Sequence, residues 1–77
     1  MTRLPTISWR DVVRALERAG FVFDRQKGGH MVYYHPQTNA TAVIPRHREI
    51  KKGTLREILR QAGLTREEFL GLIKNPQ

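Results

Sequence analysis

The chain has 77 residues, with 14 Lys plus Arg against 7 Asp plus Glu and a formal net charge of +7. That length allows one small domain, expected to span residues 1–77, and excludes large catalytic folds such as TIM barrels and Rossmann domains. Cysteine is absent, which excludes disulfides, iron–sulfur clusters and thiolate zinc sites. A pI near 10.9 sets a positive field over the surface, so polyanions, and nucleic acid first among them, are the expected partners. No stretch approaches the roughly 20 apolar residues of a membrane span, and no membrane partner is expected. The opening Met1-Thr2-Arg3-Leu4-Pro5-Thr6 lacks the apolar run of a signal peptide, so the expected location is cytoplasmic.

Ser8-Trp9-Arg10-Asp11 is a capping-box pattern and starts the first predicted helix. Its apolar stripe is Trp9, Val12, Val13 and Leu16, and Gly20 ends it. Phe21 to Arg25 is aromatic and β-branched and is predicted as a strand. Gln26-Lys27-Gly28-Gly29 reads as a turn, His30 to His35 as a second strand, Pro36-Gln37-Thr38-Asn39 as a turn, and Ala40 to Ile44 as a third strand closed by Pro45. Thr54-Leu55-Arg56-Glu57 and Thr65-Arg66-Glu67-Glu68 are two further capping boxes. The first opens a helix with Leu55, Ile58 and Leu59 on its stripe, stopping at Gly63. The second opens a helix with Phe69, Leu72 and Ile73, ended by Asn75-Pro76. The expected architecture is α+β, ordered α-β-β-β-α-α, with a three-stranded antiparallel sheet covered by helices on one face and open on the other. Period two divides the second strand into Met31, Tyr33 and His35 against His30, Val32 and Tyr34. Met31 and Tyr33 are assigned to the helix side, which leaves His30, Val32 and Tyr34 on the open face.

The familiar catalytic constellations are missing. Asp11, Glu17, Glu57, Glu67 and Glu68 serve helix starts or exposed helix faces, so a glycosidase-type carboxylate pair is not expected. Ser8, Thr54 and Thr65 are read as caps, which leaves no hydroxyl for a Ser-His-Asp arrangement. The spacings of His30, His35 and His47 match no common zinc motif, and neither a metal nor another cofactor is expected. Gly28-Gly29 offers a turn able to cradle a phosphate, without a nucleotide-binding loop around it. His30 follows that turn directly. RNA carries its own nucleophile in the 2′-hydroxyl, so a ribonuclease has to supply only proton transfer and charge stabilisation. An imidazole with an unperturbed pKa of about 6.5 suits the first task, and Arg25, Lys27, Arg46 and Lys51 suit the second. Arg46, Arg48, Lys51 and Lys52 form a basic loop of phosphate-binding character. His47 is read either as a structural or exposed residue or as a phosphate contact, and His35 as a turn residue.

Several segments together resemble one family. They are Leu4-Pro5-x-Ile7-Ser8, Leu16-Glu17-Arg18-Ala19-Gly20-Phe21, Arg25-Gln26-Lys27-Gly28-Gly29-His30, His35-Pro36, Ile44-Pro45-Arg46-His47 and Ile50-Lys51-Lys52-Gly53-Thr54-Leu55. Over nearly its whole length the chain resembles HicA-type toxins of HicA/HicB toxin-antitoxin pairs. The resemblance implies a double-stranded-RNA-binding-domain-like α-β-β-β-α fold, here with an extra short C-terminal helix. It implies metal-independent endoribonuclease cleavage of messenger RNA, with His30 as the essential residue, and a HicB-type antitoxin covering the open face and the active site. The expected RNA contacts are Arg25, Lys27, Gly28, Gly29, Arg46, His47, Lys51 and Lys52. One position departs from the family pattern: Gly29 stands where the family usually has serine, and that serine's hydroxyl is lost. The alternative is therefore a non-catalytic RNA-binding module of the same fold. A basic DNA-binding subunit is the weaker third reading, since no recognition helix-turn-helix is evident.

Overall fold

The structure, a computed structural model, describes residues 7–74. Its elements are α1 (Trp9–Arg18), β1 (Val22–Lys27), β2 (His30–Tyr34), β3 (Thr41–Pro45), α2 (Lys52–Ala62) and α3 (Arg66–Lys74). The strands form an antiparallel meander with β2 in the centre, which is the expected α+β order. The readings made at Leu4-Pro5 and Asn75-Pro76 lie outside the described residues.

Helix α1 starts as its sequence requires. The Ser8 hydroxyl accepts from the Asp11 N–H, and the Asp11 carboxylate accepts from the Ser8 N–H. At its far end Gly20 takes φ +105°, the Gly20 N–H donates to the Glu17 carbonyl and the Phe21 N–H to that of Leu16. This double closure ends a helix at a positive-φ residue. It commits Phe21 to the helix end, so β1 begins at Val22 rather than Phe21, and the Phe21 side chain turns into the core.

The predicted first strand and turn are corrected at their other end as well. β1 continues to Lys27 instead of stopping at Arg25, because Gly28 and Gly29 alone make the turn to His30. Gly28 has φ +61° and Gly29 does not have positive φ, the pattern of a type II′ hairpin turn with glycine at its first central position. β2 stops at Tyr34, one residue before the predicted end, and His35 begins the next turn. The His35 N–H donates to the Ala40 carbonyl, while Asn39, at φ +63°, donates its own N–H to the His35 carbonyl. β3 then runs from Thr41 to Pro45 rather than from Ala40 to Ile44. Pro45 is tolerated because β3 is an edge strand.

The capping box expected at Thr54 is overturned. α2 begins three residues earlier, with Lys51 rather than Thr54 at the N-cap position and no side-chain cap. The Glu57 carboxylate is taken by Arg60 and Gln61 instead. The Arg60 hydrogen bond holds the Glu57 carboxyl below its usual range and raises the guanidinium in turn. The box at Thr65 does form: the Glu68 N–H donates to Thr65 Oγ1 at 3.0 Å, and the Thr65 N–H to Glu68 Oε1 at 2.8 Å.

The core lies between the helices and one sheet face. Val12 and Leu16 of α1, Met31, Tyr33, Ala42 and Ile44 of the sheet, Ile58 of α2 and Phe69 of α3 belong to one buried cluster. Burying side chains of this size contributes roughly 1.5–3 kcal/mol each. Two polar ties join the elements around it. Arg18 donates to the Leu72 carbonyl at 2.6 Å, linking α1 to α3. The outward N–H of Val43 on edge strand β3 donates to Gln61 Oε1 of α2 at 2.9 Å, which removes a donor from an edge otherwise open to strand addition.

Candidate nucleic-acid interface

Residues directly opposite one another in an antiparallel ladder point to the same face, so the register defines the surface around His30. His30 pairs with Lys27 on β1 and with Pro45 on β3. The next row on that face is Arg25, Val32 and Val43, and the last is Val22, Tyr34 and Thr41. Met31 and Tyr33 fall on the opposite face inside the core cluster, and Val32 does not belong to it, as the sequence assignment had it. Val32 is nonetheless only 5% exposed; it occupies the centre of a three-by-three array, with Arg25 and Val43 on either side of it.

A register shift between Phe23 and Arg25 builds this array. Strict alternation would put Val22 and Arg25 on opposite faces. The extra residue, Asp24, lets Val22, Arg25 and Lys27 all share the face of His30. Asp24 also forms an ion pair with Arg25. The three rows hold two cations, an exposed histidine and no acidic residue. Their apolar members are partly open, Val22 at 41%, Tyr34 at 37% and Val43 at 37%.

Both glycines preceding His30 are exposed, and the turn is fastened from β3, where the Arg46 N–H donates to the Gly29 carbonyl at 2.9 Å. A Cβ added at Gly29 would meet nothing within 4 Å. Arg46 and His47 therefore lie at the His30 end of the sheet. The Arg46 guanidinium sits 5.0 Å from the Trp9 ring centroid, within cation–π range, while the His47 carbonyl accepts from the Trp9 N–H. Both side chains are exposed. Sequence reasoning missed the Trp9–Arg46 pairing, because it joins residues 37 apart that meet only where the chain after β3 runs against the start of α1.

The other expected phosphate contacts separate from this face. Lys51 precedes α2 and Lys52 opens it; both line a groove of about 1030 Å³ between α2, α3 and the preceding loop. Its cationic rim also includes Arg56, Arg60 and Arg66, and its floor includes Ile50, Leu59 and Phe69. Of the three histidines, His35 stands apart from His30 and His47. His35 is structural: its Nε2 lies 3.2 Å from the Ala19 carbonyl, its Nδ1 accepts from the Gln37 N–H at 3.2 Å, and its ring meets the Phe21 ring edge-on. Those contacts fix the tautomer with the proton on Nε2. Among the described residues, no group of three or more His, Asp or Glu side chains is placed to hold a metal ion. Nor is any helix there long and apolar enough to cross a membrane.

Fold and surface together define a small basic α+β domain, ordered like a double-stranded-RNA-binding domain and carrying one exposed histidine beside a glycine turn. Residues 9–64, well over half of the chain, match the family model described as HicA toxin of bacterial toxin-antitoxin, and the chain belongs to that family. Membership makes it the toxin of a toxin-antitoxin pair, with an antitoxin as its partner. The match takes in α1, the whole sheet and α2, and ends before α3. A search of the curated proteins finds no match.

Proposed function

We propose that this toxin is a metal-independent endoribonuclease that cleaves messenger RNA in the cytoplasm and is held inactive by a HicB-type antitoxin seated on the open sheet face. The observation that carries the reading is the pairing of exposed His30 with Lys27 on a sheet face whose three residue rows hold no acidic side chain, the nearby Asp24 being paired with Arg25. In the reaction the RNA's 2′ oxygen attacks the adjacent phosphorus and gives up its proton. The bond from phosphorus to the 5′ oxygen breaks, and that oxygen is protonated on leaving. His30 serves one or both proton transfers. Lys27 stands beside it to offset charge building on the phosphoryl oxygens, and Gly28 and Gly29 let the backbone approach the phosphate. Arg25, Arg46 and His47 hold the neighbouring phosphates, while Lys51 and Lys52, on the helix-side groove, add to the field that attracts RNA rather than to its path over the sheet.

The test is cleavage of single-stranded RNA by the purified toxin in EDTA. His30→Ala is expected to lower the rate by at least about 100-fold, the lower range for proton-transfer catalysis, with an unchanged melting temperature. A 2′-deoxy residue at the cleaved position is expected to block the reaction. Activity surviving in His30→Ala would remove that residue from the mechanism, and scission at the deoxy position would mean that water attacks. The lack of a hydroxyl at Gly29, next to His30, favours one second reading, an RNA-binding module that does not cut. RNA binding without cleavage by the wild-type chain would establish it.

A further inference from the structure

Resting on that reading, we infer that Tyr34 and the valines around it form a nucleobase subsite for single-stranded RNA, set apart from the phosphate position at His30 along the same strand. Tyr34 occupies the row farthest from His30 on the shared face, flanked by Val22 and Thr41, with Val32 and Val43 in the row between. Val22, Tyr34 and Val43 are the large apolar side chains exposed there, and the cations Arg25 and Lys27 line the same face. A flat aromatic beside small aliphatic groups and flanked by positive charge suits a polyanion that also carries π-faces. Unpaired bases stack on such rings with little regard to sequence. A duplex does not suit this face, because its bases are already stacked inside. The charge therefore selects a nucleic acid, and the ring selects one with its bases free.

The spacing adds a constraint. His30 and Tyr34 are four residues apart on β2, about 14 Å at strand rise. A base stacked on Tyr34 therefore lies beyond the nucleotides that flank the scissile phosphate. The subsite sets the length of RNA engaged and holds an unpaired base, whatever its identity, at a fixed distance from the cut.

The experiment measures binding of fluorescent ten-nucleotide RNA to the full chain carrying His30→Ala, so that the strand stays intact. Adding Tyr34→Ala is expected to weaken binding about 10-fold or more, the scale of one base–aromatic stack, while Tyr34→Phe retains it. Against an abasic strand of the same length and charge, the alanine variant is expected to lose nothing further. A Tyr34→Ala effect below twofold on the normal strand, or an equal loss on the abasic strand, would overturn the subsite. RNA binding and cleavage at the His30 site would stand in that case, leaving the apolar patch to the antitoxin. If the wild-type chain neither binds nor cuts RNA, the proposed function and the subsite fall together.

Discussion

Gly28 and Gly29 look equivalent as letters and differ as residues. Gly28 needs its positive φ of +61°; Gly29 does not have one, and the space where its Cβ would stand is open. Glycine at position 29 therefore satisfies no backbone demand and only enlarges the freedom of the unfolded chain. Gly29→Ser is expected to stabilise the domain by about 0.4–1 kcal/mol, read as a raised denaturant midpoint. It is also expected to speed RNA cleavage by restoring a hydroxyl beside His30. Gly28→Ser is expected to cost about 1–2 kcal/mol, because a side chain is strained in the left-handed region. Equal shifts for the two variants would contradict the turn type. A second residue-scale effect belongs to Tyr33. Burial, assisted by the negative charge of Glu17, raises its phenol above the ordinary value of 10.0. The folded state then holds its proton where the unfolded state has released it. That stabilisation is complete below pH 10 and is lost as pH rises from there through the raised folded value. In paired denaturant titrations, wild type is expected to lose stability above pH 10 more steeply than Tyr33→Phe.

At the scale of elements, two capping patterns of the same type behave differently. Thr65 and Glu68 exchange both bonds of their box, whereas Thr54 lies inside α2 and Glu57 turns to Arg60 and Gln61. Thr65→Ala is expected to cost about 1 kcal/mol, and Thr54→Ala to stay within about 0.5 kcal/mol, both measured by chemical denaturation. The contrast shows what local sequence can carry. Ser8 and Thr65 stand directly before the first residues of their helices, Trp9 and Arg66, and exchange their bonds within four residues, so their caps were legible. The start of α2 depends on the path of the chain after β3, fixed by the Ile50 N–H donating to the Ile7 carbonyl and the Trp9 N–H to that of His47. Those bonds span about 40 residues and leave no local trace. In the same way, alternation sorted β2 correctly because a single strand carries its own period. It could not locate the bulge at Asp24, which aligns Val22, Arg25 and Lys27 with His30. The histidine and its turn could thus be read in one dimension, while the array surrounding them required the register.

Across the whole molecule, which carries a net charge of +7, cations gather on two surfaces of unlike character. The sheet face presents Arg25, Lys27 and His30 around an aromatic ring. The helix-side groove sets Lys51, Lys52, Arg56, Arg60 and Arg66 around an apolar floor, with Glu49 also on its lining, and Arg60 is already paired with Glu57. If total charge alone gathered RNA, a cation removed from either surface would weaken binding alike. If the strand tracks the face of His30, only cations along its path release counterions. For single strands each neutralised phosphate contributes about 0.7 to the slope of log K against log salt. Lys27→Ala is therefore expected to reduce the slope by about 0.7, and Arg56→Ala, on the opposite side, to leave it unchanged. Titrations of one labelled RNA at several salt concentrations with the wild type and both variants make the comparison. Equal reductions would mean that RNA wraps both surfaces, and a reduction confined to Arg56→Ala would move the RNA path to the helix side, away from His30.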